Sequence, residues 1–249
     1  MPYFKYNSKQ IFYREEGKGE LLILLPGNTA SSAAYENELK YFSQKYYAVS
    51  LDYLGTGLSD RLKKWPCNWW EECAKQVKNL IEHLNYEKAI LLGTSGGAVI
   101  SLLTTILYPD VVKAVIGDSF VEKFTHEMLE HNVIEQRKQK SEIMVQFWQH
   151  LHGSDWEEVI KADTEMLKQF TDQGGEWLLN RVEEIHCPVL LTASKKDNML
   201  PNVVQHMCSL AKKIKKSKLF INDKGGHPLI WTQPDDFKII CEYFLKTLA

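Results

Sequence analysis

Residues 89–100 read Ala89-Ile90-Leu91-Leu92-Gly93-Thr94-Ser95-Gly96-Gly97-Ala98-Val99-Ile100. Four apolar residues run without interruption into Gly-x-Ser-x-Gly, and a second apolar run starts directly after it. A short continuous apolar run suits a strand covered on both faces, and the second run opens a helix. A serine on the sharp turn between strand and helix has its hydroxyl lifted above the sheet, the arrangement known as a nucleophile elbow. Small residues at 93 and 97 let the two elements approach closely. Alone the pattern is weak: with Gly and Ser each near ~7% of residues, its three fixed positions arise by chance in roughly one chain of this length in twelve. The competing reading, a phosphate site at a helix N-terminus, would call for a Gly-x-Gly-x-x-Gly or Walker pattern, and neither is present.

The surrounding sequence supplies the context. Tyr3 to Tyr6 and Ile11 to Arg14, separated by Asn7-Ser8-Lys9, read as a hairpin at the antiparallel edge of a sheet. Leu21 to Leu25, Tyr47 to Leu51, Ala89 to Leu92, Val111 to Ile116, Val189 to Leu191 and Lys218 to Ile221 read as buried parallel strands. Helical spacing appears between and after them, at Val77, Leu80, Ile81 and Leu84 and again at Phe237, Ile240, Cys241 and Phe244. This alternation predicts the α/β class, with a mostly parallel, doubly wound sheet. From Val121 to His186 the alternation stops, and the chain becomes charged, aromatic and helical over a span too long for a loop. Gly153 and Gly174-Gly175 mark breaks within it. The expected organisation is one core domain made of residues 1–120 and 187–249, with a helical lid, 121–186, inserted between two strands.

A serine hydroxyl needs a base to take its proton, and the base needs a carboxylate to hold its tautomer. For an elbow serine the chain order is Ser, acid, His. His227, in Asp223-Lys224-Gly225-Gly226-His227-Pro228, follows the last expected strand, and strand-end loops are where catalytic groups of open α/β sheets gather. Asp197 follows the strand Val189 to Leu191; as a plain structural residue it would cap a turn. Asp118, in Ile116-Gly117-Asp118-Ser119, competes for the acid role and is otherwise expected to face the pocket or tie down the lid. Leu25-Pro26-Gly27-Asn28-Thr29 ends the first parallel strand, so the backbone N–H groups of Asn28 and Gly96 are the expected oxyanion donors. Asp118, Trp148 and Trp231 are the candidate pocket residues. Trp148, Trp156, Trp177, Met128, Met144 and Met166 either form an adaptable apolar cover or pack the lid onto the body.

Taken together these segments resemble the α/β-hydrolase superfamily, of the kind that carries a helical lid. The motifs are Pro26-Gly27-Asn28, the turn Asp52-Tyr53-Leu54-Gly55-Thr56-Gly57-Leu58-Ser59-Asp60, the elbow, Asp197, and Gly226-His227-Pro228 with Gln233-Pro234 downstream. The turn from Asp52 to Asp60 resembles the family's Asp-x-x-Gly-x-Gly-x-Ser, a structural feature below the pocket. Members usually carry His-Gly where this chain has Pro26-Gly27. Serine at 95 separates the chain from similar epoxide hydrolases and haloalkane dehalogenases, which place aspartate there. The resemblance implies an acyl-enzyme mechanism without metal or organic cofactor, acting on a carboxylic ester of a small or medium acyl substrate. Thioesters, lactones, amides and short peptides fit the same machinery.

Composition restricts the alternatives. The chain has 249 residues and a formal charge of -2, so no overall field draws it to nucleic acid or an anionic membrane. Lys212, Lys213, Lys215, Lys216 and Lys218 form one basic cluster, read as a solvated helix end. Five cysteines without paired short spacings read as reduced, buried thiols. The N-terminus lacks the pattern of a signal peptide and no apolar run approaches spanning length, so a soluble cytoplasmic protein is expected. His150-x-His152 invites a metal reading, but no carboxylate or cysteine set completes it. The expected partner is a small-molecule substrate, with oligomeric state left open. Two other classes remain: a ligand-binding protein of the same fold, and an interaction module presenting Trp65, Trp69 and Trp70, which are otherwise expected at the lid hinge or pocket wall.

Overall fold

The computed structural model describes residues 2–248. β1 (Tyr3–Tyr6) and β2 (Lys9–Gly17) form the hairpin, turned by Asn7 and Ser8, both at positive φ. β3 (Leu21–Leu25), α1 (Glu36–Phe42), β4 (Tyr47–Leu51), α2 (Trp69–His83), β5 (Ala89–Thr94), α3 (Gly96–Leu107) and β6 (Val112–Asp118) follow. Four helical pieces come next: α4 (His126–Met128), α5 (Glu135–Gln139), α6 (Glu142–His152) and α7 (Trp156–Asp172). β7 (Val189–Ser194), α8 (Val203–Lys213), β8 (Ser217–Asn222), α9 (Leu229–Thr232) and α10 (Pro234–Lys246) complete the chain.

The eight strands make one sheet in the order β1-β2-β4-β3-β5-β6-β7-β8. β2 joins β4 antiparallel, and every pairing from β4 to β8 is parallel. The sheet is doubly wound, and its alternation sorts side chains into two cores. Leu21, Ile23 and Leu25 face a core shared with α2, α3 and α8, whereas Leu22 and Leu24 face one shared with α1 and α10. All residues of β3 and β5 are therefore buried, which is why Leu21–Leu25 and residues 89–92 are unbroken apolar runs.

β6 extends two residues beyond the expected strand, through Gly117 and Asp118, which pair with Gly93 and Thr94 on one side and Leu191 and Thr192 on the other. Of the basic cluster, only Lys212 and Lys213 lie in the last turn of α8. Cys73 and Cys241 are buried, but Cys67, Cys187 and Cys208 are only half-buried; all five are free thiols. No helix among the described residues is long and apolar enough to cross a membrane.

The helical segment between β6 and β7 breaks at the expected glycines: Gly153 ends α6 at φ 82°, and Gly174 and Gly175 follow α7 at positive φ. A π-helical turn, Leu129–Ile134, joins α4 to α5. At its base the segment is closed by a bridge between Lys123 and Glu176. The reading of Trp65, Trp69 and Trp70 as a partner surface is corrected, because all three are buried. Trp65 stacks on Trp69, and Trp70 packs against Phe170 and Trp177 of the helical segment.

Candidate active site

Ser95 sits between β5 and α3 with φ 55° and ψ −121°, a conformation that costs an L-residue about 1–3 kcal/mol and needs surrounding structure to enforce it. The flanking glycines are part of that enforcement. A Cβ at Gly93 would lie 2.1 Å from the Gly97 carbonyl oxygen, and one at Gly97 would lie 1.9 Å from the Leu25 carbonyl oxygen. The Ser95 N–H donates to the Asp118 carbonyl at 2.8 Å, holding the turn against β6.

Asp197 and His227 meet across the ends of β7 and β8. His227 Nδ1 lies 2.8 Å from Asp197 Oδ2, and the Asp197 side chain is fully buried. Asp197 Oδ1 accepts the N–H groups of Met199 and Leu200, each at 2.9 Å. One oxygen of Asp197 thus caps the turn and the other faces His227. Because a carboxylate only accepts, the Nδ1 it faces carries a proton, which makes Nε2 the basic atom of the neutral ring form. The two loops are tied by the Ser194 hydroxyl, which reaches the carbonyls of Lys224 and Gly225 at 2.6 and 2.8 Å. Gly225 has φ +80°, and a Cβ there would crowd Thr232 and Gln233.

Asn28 and Gly96 are brought together. A Cβ built on Gly96 would stand 3.1 Å from the Asn28 backbone nitrogen. As the first helical residue, Gly96 has no intrahelical acceptor for its N–H. Neither this N–H nor that of Asn28 donates to another group among the described residues. Two free N–H groups beside a strained serine can bind an oxyanion.

Asp118 requires a correction. It is not among the residues lining the pocket, and its carboxylate makes no hydrogen bond to the helical segment among the described residues. Its carboxylate is wholly buried, with Oδ1 accepting from Thr192 and Ser119 at 2.7 and 3.0 Å and Oδ2 accepting from the Ile230 N–H at 3.1 Å. Burial pushes its pKa up to about 6 in spite of these bonds. Asp118 is a brace that joins the ends of β6 and β7 to α9.

Above Ser95 lies a cavity of about 380 Å³, with Ser95, His227, Asn28 and Gly96 in its wall. Trp148 and Trp231 line it as expected, and so do Trp177 and Met144. Trp156 is instead stacked behind Trp148 within the segment, whereas Met128 and Met166 are buried in the main core and pack the segment onto the body. Phe147 and Trp231, 39% and 37% exposed, meet edge to face at the solvent side of the cavity. The π-helical turn and α5 contribute Asn132, Val133, Gln136 and Arg137 to the wall. Among the described residues, Arg137 is the only Lys, Arg, Asp or Glu lining it.

Three residues around the site went unassigned in the sequence. His152 is buried, accepts the Gly57 N–H on Nδ1 at 3.0 Å and donates from Nε2 to the Thr29 carbonyl at 3.0 Å. Burial lowers its pKa to about 4. With both ring nitrogens committed, it is not available as the metal ligand that His150-x-His152 suggested. Asp163 is fully buried and pairs with Arg137 at 2.6 Å, the second and third of the three. Asp52 takes the structural part expected of it, accepting the N–H groups of Ser32 and Leu58, and a Cβ at Gly57 would collide with its carboxylate.

Comparison with known proteins agrees with this architecture. The family model described as "alpha/beta hydrolase fold" matches residues 20–152. The human protein "Serine hydrolase BPHL" is 26% identical over 249 residues, covering 96% of this chain and 84% of that one. "(E)-2-((N-methylformamido)methylene)succinate hydrolase" of Acinetobacter baylyi is 24% identical, covering 97% of this chain and 96% of that one. Among solved structures, Est816, described as an N-acyl homoserine lactone degrading enzyme, superposes with a TM-score of 0.77 at 20% identity, covering 98% of this chain and all of that one.

Proposed function

We propose that this chain, which belongs to the alpha/beta hydrolase fold family and is a hydrolase, works as a serine esterase on a small or medium, uncharged acyl substrate. The observation that carries this reading is the 2.8 Å contact of His227 Nδ1 with Asp197 Oδ2, with His227 and the elbow serine in the wall of one cavity. Ser95 Oγ attacks the ester carbonyl carbon and passes its proton to His227 Nε2. Asp197 keeps the imidazole in the required tautomer and stabilises the imidazolium. The carbonyl oxygen, now negative, is bound by the N–H groups of Asn28 and Gly96, each worth about 3 kcal/mol in a water-poor pocket. The C–O bond breaks, the leaving alcohol takes the proton from His227, and an acyl-Ser95 ester remains. His227 then takes a proton from water, hydroxide attacks the acyl carbon, and Ser95 departs with that proton.

The cavity supports a neutral substrate. Its one Lys or Arg among the described residues, Arg137, is already balanced by Asp163, and the rest of the wall is largely aromatic and aliphatic. A second reading keeps the machinery and changes the bond. It is favoured by the activities for which similar proteins are named, N-acyl homoserine lactone degradation for Est816 and (E)-2-((N-methylformamido)methylene)succinate hydrolysis for the Acinetobacter baylyi protein. Fluorophosphonate labelling with p-nitrophenyl ester turnover tests the proposal. Wild type is expected to label and turn over, and Ser95→Ala to do neither; labelling that persists in folded Ser95→Ala would assign the nucleophile elsewhere.

A further inference from the structure

We infer that Asp163, on α7, is a positioning residue of the oxyanion hole, holding the Asn28 side chain so that the Asn28 backbone N–H stays aimed at the reacting carbonyl. This rests on the hydrolase mechanism proposed above. Asp163 Oδ1 accepts from Asn28 Nδ2 at 2.7 Å, and Trp70 Nε1 donates to Asn28 Oδ1 at 3.2 Å. A carboxylate can only accept and an indole N–H can only donate, so the Asn28 amide has one allowed orientation and is clamped at both ends. The clamp lies against the hole itself, because a Cβ on Gly96 would stand 2.0 Å from Asn28 Oδ1.

Asp163 occupies a position that an apolar residue would fill more cheaply. It lies on the buried stripe of α7 with Trp156, Val159, Ile160, Met166 and Leu167. Burying a carboxylate costs several kcal/mol unless its oxygens are satisfied. Here one oxygen is satisfied by Arg137 and the other by Asn28. The loop after Asn28 is tied to the same helical segment by the His152 bond to the Thr29 carbonyl and by the Ser31 hydroxyl, which donates to the Leu151 carbonyl at 3.1 Å. The segment over the cavity thus supports the donor loop as well as covering it.

Two double variants separate this role from simple charge pairing. Asp163→Asn/Arg137→Met keeps an acceptor for Asn28, Asp163→Leu/Arg137→Met removes it, and both lack the ion pair. Relative to the asparagine double, the leucine double is expected to lose on the order of 10²-fold in kcat with KM changed less than threefold. The Ki of a trifluoromethyl ketone transition-state analogue is expected to rise in parallel. Equal kcat in the two doubles at equal active-site titre, or a loss carried by KM, would overturn the assignment. Crystal structures of the pair read the hole without any turnover: an unmoved Asn28 backbone nitrogen in the leucine double also overturns it. If the leucine double does not fold, Asn28→Ala releases the clamp from its other end and leaves the Asp163–Arg137 pair intact. The same kcat-selective loss is expected there, and an unchanged kcat refutes the role. A wild-type protein that fluorophosphonate fails to label would count against the hydrolytic mechanism alone, since the crystallographic comparison still reports on Asn28.

Discussion

Acidification should loosen this protein through His152, and the size of the effect follows from its surroundings. Burial lowers the His152 pKa from 6.5 to about 4, because a charged ring would lie in the interior with its Nδ1 proton directed at the Gly57 N–H. Above pH 6.5 the ring is neutral in both folded and unfolded chains, and its contribution to stability is fully present. As pH falls below 6.5 the unfolded chain takes up the proton and the folded one refuses it until about pH 4, so stability is lost across that window. At 1.36 kcal/mol per pKa unit, the loss reaches about 2 kcal/mol at pH 5 and approaches about 3 kcal/mol near pH 4. Urea unfolding of wild type and His152→Phe at pH 7.5 and pH 5 measures it. The variant should be less stable by about 1–3 kcal/mol at pH 7.5, since the Gly57 N–H and Thr29 carbonyl lose their partner. That gap should shrink by about 2 kcal/mol at pH 5, because phenylalanine has no proton to refuse. Every other titrating group is common to the two proteins, so parallel pH curves would refute the reasoning.

Ser95→Gly should abolish fluorophosphonate labelling yet stabilise the fold by about 1 kcal/mol in thermal unfolding, since glycine takes the Ser95 backbone angles without strain. Asp197→Asn should lower kcat by at least ~10³-fold, because the two N–H groups on Oδ1 pull the amide oxygen to their side and turn its NH₂ toward His227, imposing the wrong tautomer. Asp118→Asn should stay within about tenfold of wild type in kcat while losing about 1–3 kcal/mol of stability, measured in the same assays, as one of its three donors is left unpaired.

Legibility in the sequence followed locality. Ser95, Asp197 and His227 each stand in a short segment just past a strand, and their order along the chain is itself informative. Asp118 misleads for the same reason: Gly-Asp-Ser at a strand end looks like an acid loop, and only its contacts with Thr192 and Ile230, 74 and 112 residues away, show a brace. Asp163 is 135 residues from Asn28, and nothing local announces that bond. A signal was present, however, because an aspartate in register with Trp156, Val159, Ile160, Met166 and Leu167 must be buried and therefore must have a partner. Periodicity likewise places Trp148 and Trp156 on inward helix faces, but it cannot say which ring meets the cavity and which supports it.

The rim formed by Phe147 and Trp231 bears on how fast the enzyme can exchange its contents. Each ring is more than a third exposed, and the two come from separate elements, α6 and α9. α9 is fixed through Ile230 to the Asp118 brace, and α6 and α7 are bonded to the loop after β3. If entry needs only these two side chains to turn aside, it belongs to the picosecond-to-nanosecond regime of exposed rotamers, well clear of the microseconds to milliseconds that a swinging domain needs. An aperture of that kind would screen molecules by their narrowest cross-section: a long, thin leaving group would trail into solvent while its acyl end is inside, whereas a compact, branched one of equal mass would be turned away.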